Sequence, residues 1–473
     1  VNKLAHGLLG LGIRKGEKVT LMMKNSDQFV FALFAAAKIG AVIVPVNFRL
    51  TASEVHYILE QSGTILVICD EEFEDIITSA CEGTNAAHLI TTGTPKAVGH
   101  HSFNHVLSEN ASNPQIEVSD DDDLEILYTS GTTGRPKGAL FDHKRVFNVG
   151  LTMMISMGIN QEERILHIAP LFHSAQLNLF LISGVVLGAT HIIHRDFHPV
   201  TTLQAIQQHK ITHFFGVPAM YNFMLQVPNA SEYDLSSIKR CGYGAAPMAP
   251  ELVRKSMELF RTDQFYNLCG LTEAGPGGIL LGPEGHKHQL GKGGKAAFLT
   301  EARVVDEEGK DIKPGAVGEF VLKGESIMKE YYKKPEETAK TIKDGWLYTG
   351  DLATIDEEGY ITLVDRKKDM IISGGENVYS IEVEEVLYEH PAVMEAAIIG
   401  LPDEVWGEAV CAVIVPKQDA IVDEQELKIF CRQKLAGYKV PRKIFIEEAL
   451  PRNASGKILK YQLRQKLNEV KLG

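Results

Sequence analysis

Short apolar runs alternate with amphipathic helical segments along most of this chain, and that alternation restricts its fold more than any other feature. Apolar Leu4, Leu8 and Leu9 recur at helical spacing, an apolar run follows at 19–23, a helical stretch at 27–39 and a second run at 41–46. Thr51-Ala-Ser-Glu54 then carries the spacing of a capping box, Gly63 sits where a helix would close, and 65–68 is again short and apolar. Strands separated by helices return to one sheet in parallel, so a parallel-type sheet clothed in helices is expected. The pattern runs to about residue 290. From 291 to 365 it gives way to short β-branched runs broken by turns, which predicts an all-β lobe. After the charged stretch Arg366-Lys367-Lys368-Asp369 a fresh mixed pattern begins.

The expected fold is therefore α/β. A large N-terminal domain of sheets and helices with a β lobe spans 1–365, a small α+β domain spans 366–473, and a hinge lies near 366–368. A chain of 473 residues is too long for one core, which agrees with more than one domain.

Composition excludes several classes of partner. With 61 acidic against 48 basic side chains the net charge is -13, so long-range attraction to nucleic acid or to anionic lipid is not expected, and bound phosphates must be held by local geometry. The six cysteines are scattered with neither a CxxC pair nor a Cys/His cluster, which argues against a disulfide framework and a zinc site and reads as a reducing cytoplasm. No apolar run reaches the ~20 residues of a membrane span; the longest, 177–190, reads as a buried helix. Membrane association is at most peripheral. The chain opens at Val1 in what already reads as helix, so residues upstream are expected.

The sharpest chemical signal is Thr129-Ser130-Gly131-Thr132-Thr133-Gly134-Arg135-Pro136-Lys137-Gly138, leaving a strand. Small and hydroxyl residues let backbone N–H and side-chain OH groups approach phosphate oxygens, and Lys137 offers a point charge for a departing pyrophosphate. The order is not that of a Walker A loop. A Gly/Thr/Ser run alone would be a flexible surface loop, but this string resembles the phosphate loop of the adenylate-forming superfamily of acyl-CoA ligases, luciferases and peptide-synthetase adenylation domains.

Further motifs of that superfamily follow in its order, and each would be bland by itself. Leu171-Phe172-His173 resembles the segment beside the acyl pocket, which implies His173 as a wall of the carboxylate site rather than a core histidine. Gly244-Ala245-Ala246-Pro247 is similar to the turn along the adenine. Gly270-Leu271-Thr272-Glu273 resembles the segment whose Thr contacts the α-phosphate and whose Glu holds Mg²⁺, an oxygen ligand suited to a hard cation. Two residues before that Leu the superfamily places an aromatic ring; this chain has Cys269, which leaves adenine to lean on Tyr243 or Tyr266. The resemblance implies that Asp351 and Arg366 bind the ribose, that Lys368 is the hinge position, and that Gly374 and Gly375 line a pantetheine channel. It implies that Lys457, in Pro451-Arg-Asn-Ala-Ser-Gly-Lys457, serves adenylation.

By that resemblance the chain is an ATP-dependent, AMP-forming acid–thiol ligase that uses Mg²⁺ and coenzyme A. Its catalytic residues would be Lys457, Lys137, Glu273 and His173. The acid is expected to be a medium- or long-chain fatty acid, since Phe214-Phe-Gly-Val-Pro218 and Gly275-Pro-Gly-Gly278 are apolar or small. Three alternatives stand beside it: an aryl-CoA ligase of the 4-coumarate type, an enzyme that loads a carrier protein, and a luciferase-like oxygenase. A silent binding protein is disfavoured by the intact Lys457, Glu273, Asp351 and Arg366.

Overall fold

The computed structural model describes residues 1–129, 135–418, 420, 422–452 and 458–469. Two compact units divide the chain: Val1–Ala302 with Leu322–Leu347, and Arg303–Val321 with Tyr348–Gly473.

The first unit holds two large sheets. In one of eight strands, Val42–Pro45, Lys18–Met22, Thr64–Cys69 and His88–Thr91 lie parallel, as expected from the helix between each pair. Asp123–Thr129 joins parallel to Val42–Pro45, and Lys137–Asp142 turns back antiparallel beside it. In the seven-stranded sheet, Thr190–Ile193, Arg164–His167, His213–Gly216, Arg240–Gly244 and Phe265–Gly270 are parallel. Local chemistry fixes the helix ends between them. Glu54 reaches back to the Thr51 N–H at 2.8 Å, and Gly63 closes that helix at a left-handed φ of 72°.

The long apolar run 177–190 is only in part the buried helix expected: Ala175–Ile182 is a buried π-helical segment, Ser183–Leu187 continues it as α-helix with Val185 and Val186 exposed, and Thr190 begins a strand. Every residue from Gln176 to Ile182 is buried, with Asn178 donating to Glu125 of the first large sheet and Gln176 to His167 of the second. Burial pushes the Glu125 carboxyl up to about 7. The run 291–365 departs from an all-β lobe: Lys295–Ala296 joins the edge of the seven-stranded sheet, and two further segments leave it. Pro335–Thr341 is a helix, with Pro at its start and Glu336 and Glu337 in its first turn. Glu330–Tyr331 pairs instead with Lys137–Asp142 at the edge of the eight-stranded sheet.

Three histidines share one face of the second sheet. His167 and His191 are joined Nε2 to Nδ1 at 2.8 Å, and His213 is fully buried with neither ring nitrogen partnered among the described residues. Burial holds all three imidazoles below their usual value, His213 at about 3. Their folded pKa values lie below the ~6.5 of an unfolded histidine, so the stability they contribute is present above that pH and is lost as the pH falls through the folded values. His213→Leu is therefore expected to remove about 1 kcal/mol of the stability lost between pH 6.5 and 5.5. Denaturant melts at the two pH values check this; an unchanged difference in the variant would show that His213 is already charged in the fold.

In the second unit, Trp346–Ile355 and Ile361–Arg366 pair antiparallel. A further sheet builds on the long hairpin Val393–Asp403/Gly407–Pro416; on the free edge of Gly407–Pro416, Ile371–Ser373, itself paired with Glu376–Val378, joins antiparallel and Lys443–Ile446 joins parallel. Helix Ser380–Tyr388 packs Val383 and Leu387 onto one face of this sheet, and Leu463 and Leu467 of Lys460–Glu469 cover the other. No helix of the described residues is long and apolar enough to cross a membrane.

Candidate active site

Ser130, Gly131, Thr132, Thr133 and Gly134 lie outside the described residues, but the two strands that carry them are well defined. Thr129 pairs with Lys137 at the end of the antiparallel register. Gly138 must be glycine, because a Cβ there would lie 2.5 Å from Ile126 Cγ2. Lys137 Nζ lies 3.3 Å from Glu337 Oε2 and 4.4 Å from the centre of the Tyr331 ring. The Tyr331 hydroxyl donates to Glu273 Oε1 at 2.8 Å. The structure thus brings the expected phosphate lysine and the expected metal carboxylate to one tyrosine, the ammonium against its ring and the carboxylate at its hydroxyl.

Glu273 is held there by backbone. Leu271 leads into the single turn Thr272–Ala274, which ends at Gly275 with a φ of 88°. A Cβ at Gly270 would lie 2.3 Å from the carbonyl oxygens of Pro276 and Gly277, and the Glu273 carbonyl accepts from Met328 N at 2.9 Å. Thr272 Oγ1 stands 3.2 Å from Ser174 Oγ, which ties this turn to the segment of His173. His173 Nδ1 accepts from the Ala175 N–H at 3.3 Å, and burial lowers its pKa. A neutral ring accepting at Nδ1 carries its proton on Nε2, a donor suited to a carboxylate oxygen.

Gly244 ends its strand against the Leu268 carbonyl, where a Cβ would lie at 2.3 Å. Ala245, Ala246 and Pro247 follow as an exposed turn, and Ala245 holds a φ of 66°, a conformation costly for a residue with a side chain. Neither tyrosine offered as a substitute for the missing ring is free to serve. Tyr243 is buried with its hydroxyl on His286, and Tyr266 is buried in the core beneath the π-helix. Both are core side chains; Cys269 is half-buried on the strand of Tyr266, Phe265–Gly270.

In the second unit Asp351 and Arg366 stand directly opposite in the antiparallel register, with Arg366 Nε 3.5 Å from Asp351 Oδ1. Beside them Asp365 is buried and binds Ser380 through both N–H and hydroxyl at the start of helix Ser380–Tyr388, where a carboxylate suits the helix dipole. Lys368 is exposed in the turn that follows. Gly374 and Gly375, at φ of 64° and 84°, form the two-residue turn of a hairpin closed by Ser373 and Glu376. Gly374 lies against Trp406, which a Cβ would approach to 2.8 Å. Lys457 lies outside the described residues. The helix after it is anchored by Lys460 to Glu384 at 2.7 Å and by Arg464 to Asp369 at 2.9 Å.

Tyr331 and Glu337 were not among the residues singled out from the sequence. The available signal was the acidic helix start Pro335-Glu-Glu, but Glu337 lies 200 residues from the lysine it meets.

The AMP-binding enzyme profile matches residues 1–332, and that of the AMP-binding enzyme C-terminal domain matches 382–457. The chain belongs to the AMP-binding enzyme family. Among curated members of the family it is 37% identical over 466 residues to a feruloyl-CoA synthase of an Amycolatopsis species, covering 98% of this chain and 92% of that protein. It is 39% identical over 469 residues to the long-chain-fatty-acid–CoA ligase FadD13 of Mycobacterium tuberculosis, covering 98% and 91%. Among solved structures of AMP-binding enzymes, the Bacillus subtilis o-succinylbenzoate-CoA synthetase in complex with ATP and magnesium superposes with a TM-score of 0.87 at 31% identity, over 98% of this chain and 92% of that one. The donor set here fits such a metal. Mg²⁺ is held through one or two carboxylates, its other ligands being water and phosphate oxygens. Glu273 has lone pairs to spare beyond its bond from Tyr331, and among the described residues no larger cluster of His, Cys, Asp or Glu could hold a metal.

Proposed function

We propose that this chain converts an apolar carboxylic acid and ATP to acyl-AMP and pyrophosphate, and then passes the acyl group to coenzyme A with release of AMP. As an AMP-binding enzyme it is an ATP-dependent acid–CoA ligase that uses ATP, Mg²⁺ and coenzyme A. The observation that carries the assignment of roles is the grouping of Lys137, Tyr331 and Glu273 at the foot of the phosphate loop.

In the first step a carboxylate oxygen attacks the α-phosphorus as the bond to the β-phosphate oxygen breaks. His173 Nε2–H orients the carboxylate, Thr272 donates to the α-phosphate, and the hydroxyls and N–H groups of Thr129 to Gly134 hold the outer phosphates. Lys137 takes up charge on the pyrophosphate, and Lys457 neutralises the carboxylate and the α-phosphate as they meet. Glu273 would hold Mg²⁺, which when bound would add to the neutralisation of phosphate charge. Gly244 to Pro247 and Gly270 to Leu271 bound the adenine, while Asp351 accepts from the ribose hydroxyls and Arg366 steadies that carboxylate. In the second step the small domain, 366–473, turns about Arg366 to Lys368. Gly374 and Gly375 then line the path of the thiol, which attacks the acyl carbonyl and expels AMP.

For the acid, the small and apolar lining read from the sequence suits a medium- or long-chain fatty acid. One observation favours a flatter substrate. Phe180 of the π-helix stacks on Phe215 at 5.2 Å and meets the His213 ring at a tilt at 5.1 Å, and a Cβ on Gly242 would already lie 3.2 Å from the Phe180 ring. Phe180 is fully buried in this core, which leaves no room beside it for a long chain, and the likeness to a feruloyl-CoA synthase points the same way, to an aryl acid. AMP release with coenzyme A and a panel of octanoate, palmitate, cinnamate and 4-hydroxycinnamate is expected to show the aryl acids ahead by about tenfold in kcat/KM. The reverse order would restore the fatty acid. Dependence on a carrier protein in place of free coenzyme A would move the enzyme to the carrier-loading class.

A further inference from the structure

The ion pair between Lys137 and Glu337 is unusual in its setting rather than in its length. Its carboxylate is presented by a built element. Strand Glu330–Tyr331 is hydrogen-bonded to the strand that begins at Lys137, placing Tyr331 opposite Ala139. Helix Pro335–Thr341 follows it, tied back by Thr338 Oγ1, which accepts from Tyr331 N at 2.9 Å and donates to the Lys334 carbonyl at 3.0 Å. That fixes Glu337 where its Oε2 reaches Lys137 Nζ at 3.3 Å, while Oε1 is 3.0 Å from Lys340 Nζ. Lys137 is clasped between this carboxylate and the Tyr331 ring, and the same Tyr331 holds Glu273. Both members of the ion pair keep some solvent contact, 23% for the lysine side chain and 39% for the glutamate. An arriving anion can therefore compete for the ammonium group.

We infer that Glu337 is an internal counter-ion that occupies Lys137 when the phosphate site is empty, yields it to pyrophosphate, and reclaims it as pyrophosphate leaves. Two anions beside one ammonium group repel each other, so the carboxylate weakens the hold on pyrophosphate and hastens its release. Glu337 is then a positioning residue that sets how tightly the product is kept. The inference rests on the reading of Lys137 as the pyrophosphate-binding lysine. A static bridge that merely aims Lys137 at the phosphates makes the opposite prediction, because loss of Glu337 would then weaken binding.

Calorimetric titration of the full chain with magnesium pyrophosphate decides between them, comparing wild type, Glu337→Gln, Lys137→Ala and the double variant. Glu337→Gln is expected to bind pyrophosphate about fivefold more tightly, in keeping with a partly exposed ion pair, and to be inhibited by pyrophosphate in the AMP-forming reaction more strongly by the same factor. Lys137→Ala is expected to bind it more weakly, with no further effect of Glu337→Gln in that background. Equal or weaker binding by Glu337→Gln, with Lys137→Ala still impaired, would overturn the counter-ion and leave the lysine's role standing. Unimpaired binding by Lys137→Ala would remove the role of the lysine and the inference together.

Discussion

Lys457→Ala is expected to slow acyl-adenylate formation by about a hundredfold to a thousandfold, while thioester formation from supplied acyl-adenylate stays within a factor of about three. The first half-reaction brings two anions together and gains from a cation that bridges them. In the second a neutral acyl carbonyl meets a thiol, and no such bridge is needed. Pyrophosphate exchange measures the first step and coenzyme A consumption from synthetic adenylate the second. Equal losses in both would show that Lys457 supports the fold or a shared intermediate rather than adenylation.

Asp351→Ala should cost about a hundredfold to ten-thousandfold in kcat/KM for ATP, since two hydrogen bonds to a charged acceptor contribute about 1.5–3 kcal/mol each. The attribution to ribose is tested by the substrate. Wild type should lose a similar factor when ATP is replaced by 2′,3′-dideoxy-ATP, and the variant should barely distinguish the two nucleotides. Full discrimination retained by the variant would sink the assignment. Because Asp351 faces Arg366 across the strand pair, part of the loss will come from a guanidinium left without its partner, and Asp351→Asn should recover only a fraction of it.

Much of the scaffold was legible because its signals are local. Glu54 reaches its own helix start, Gly63 adopts the left-handed turn that ends it, and the paired glycines at 374 and 375 take the conformation a two-residue hairpin demands. What escaped depends on distance or on missing contrast. A two-residue edge strand, Glu330–Tyr331, has no periodicity to detect, and its partner is fixed by the sheet rather than by neighbours in sequence. The run from Gln176 to Ile182 is buried on all sides, so its apolar pattern carries no helical phase, and a wider turn cannot be told from an ordinary one. The buried state of Tyr243 and Tyr266 was likewise beyond reach, since a tyrosine in a strand reads the same whether its ring faces core or ligand.

The π-helical segment has one more consequence. It is gripped by Glu125 from one sheet and by His167 from the other, and none of its inner side chains has a free side. A single change of volume there must open a void or force a neighbour aside. Volume can then be exchanged here only in matched pairs, one change in the helix and one in a strand it packs on, and a library that varies one position at a time will register mainly losses of stability.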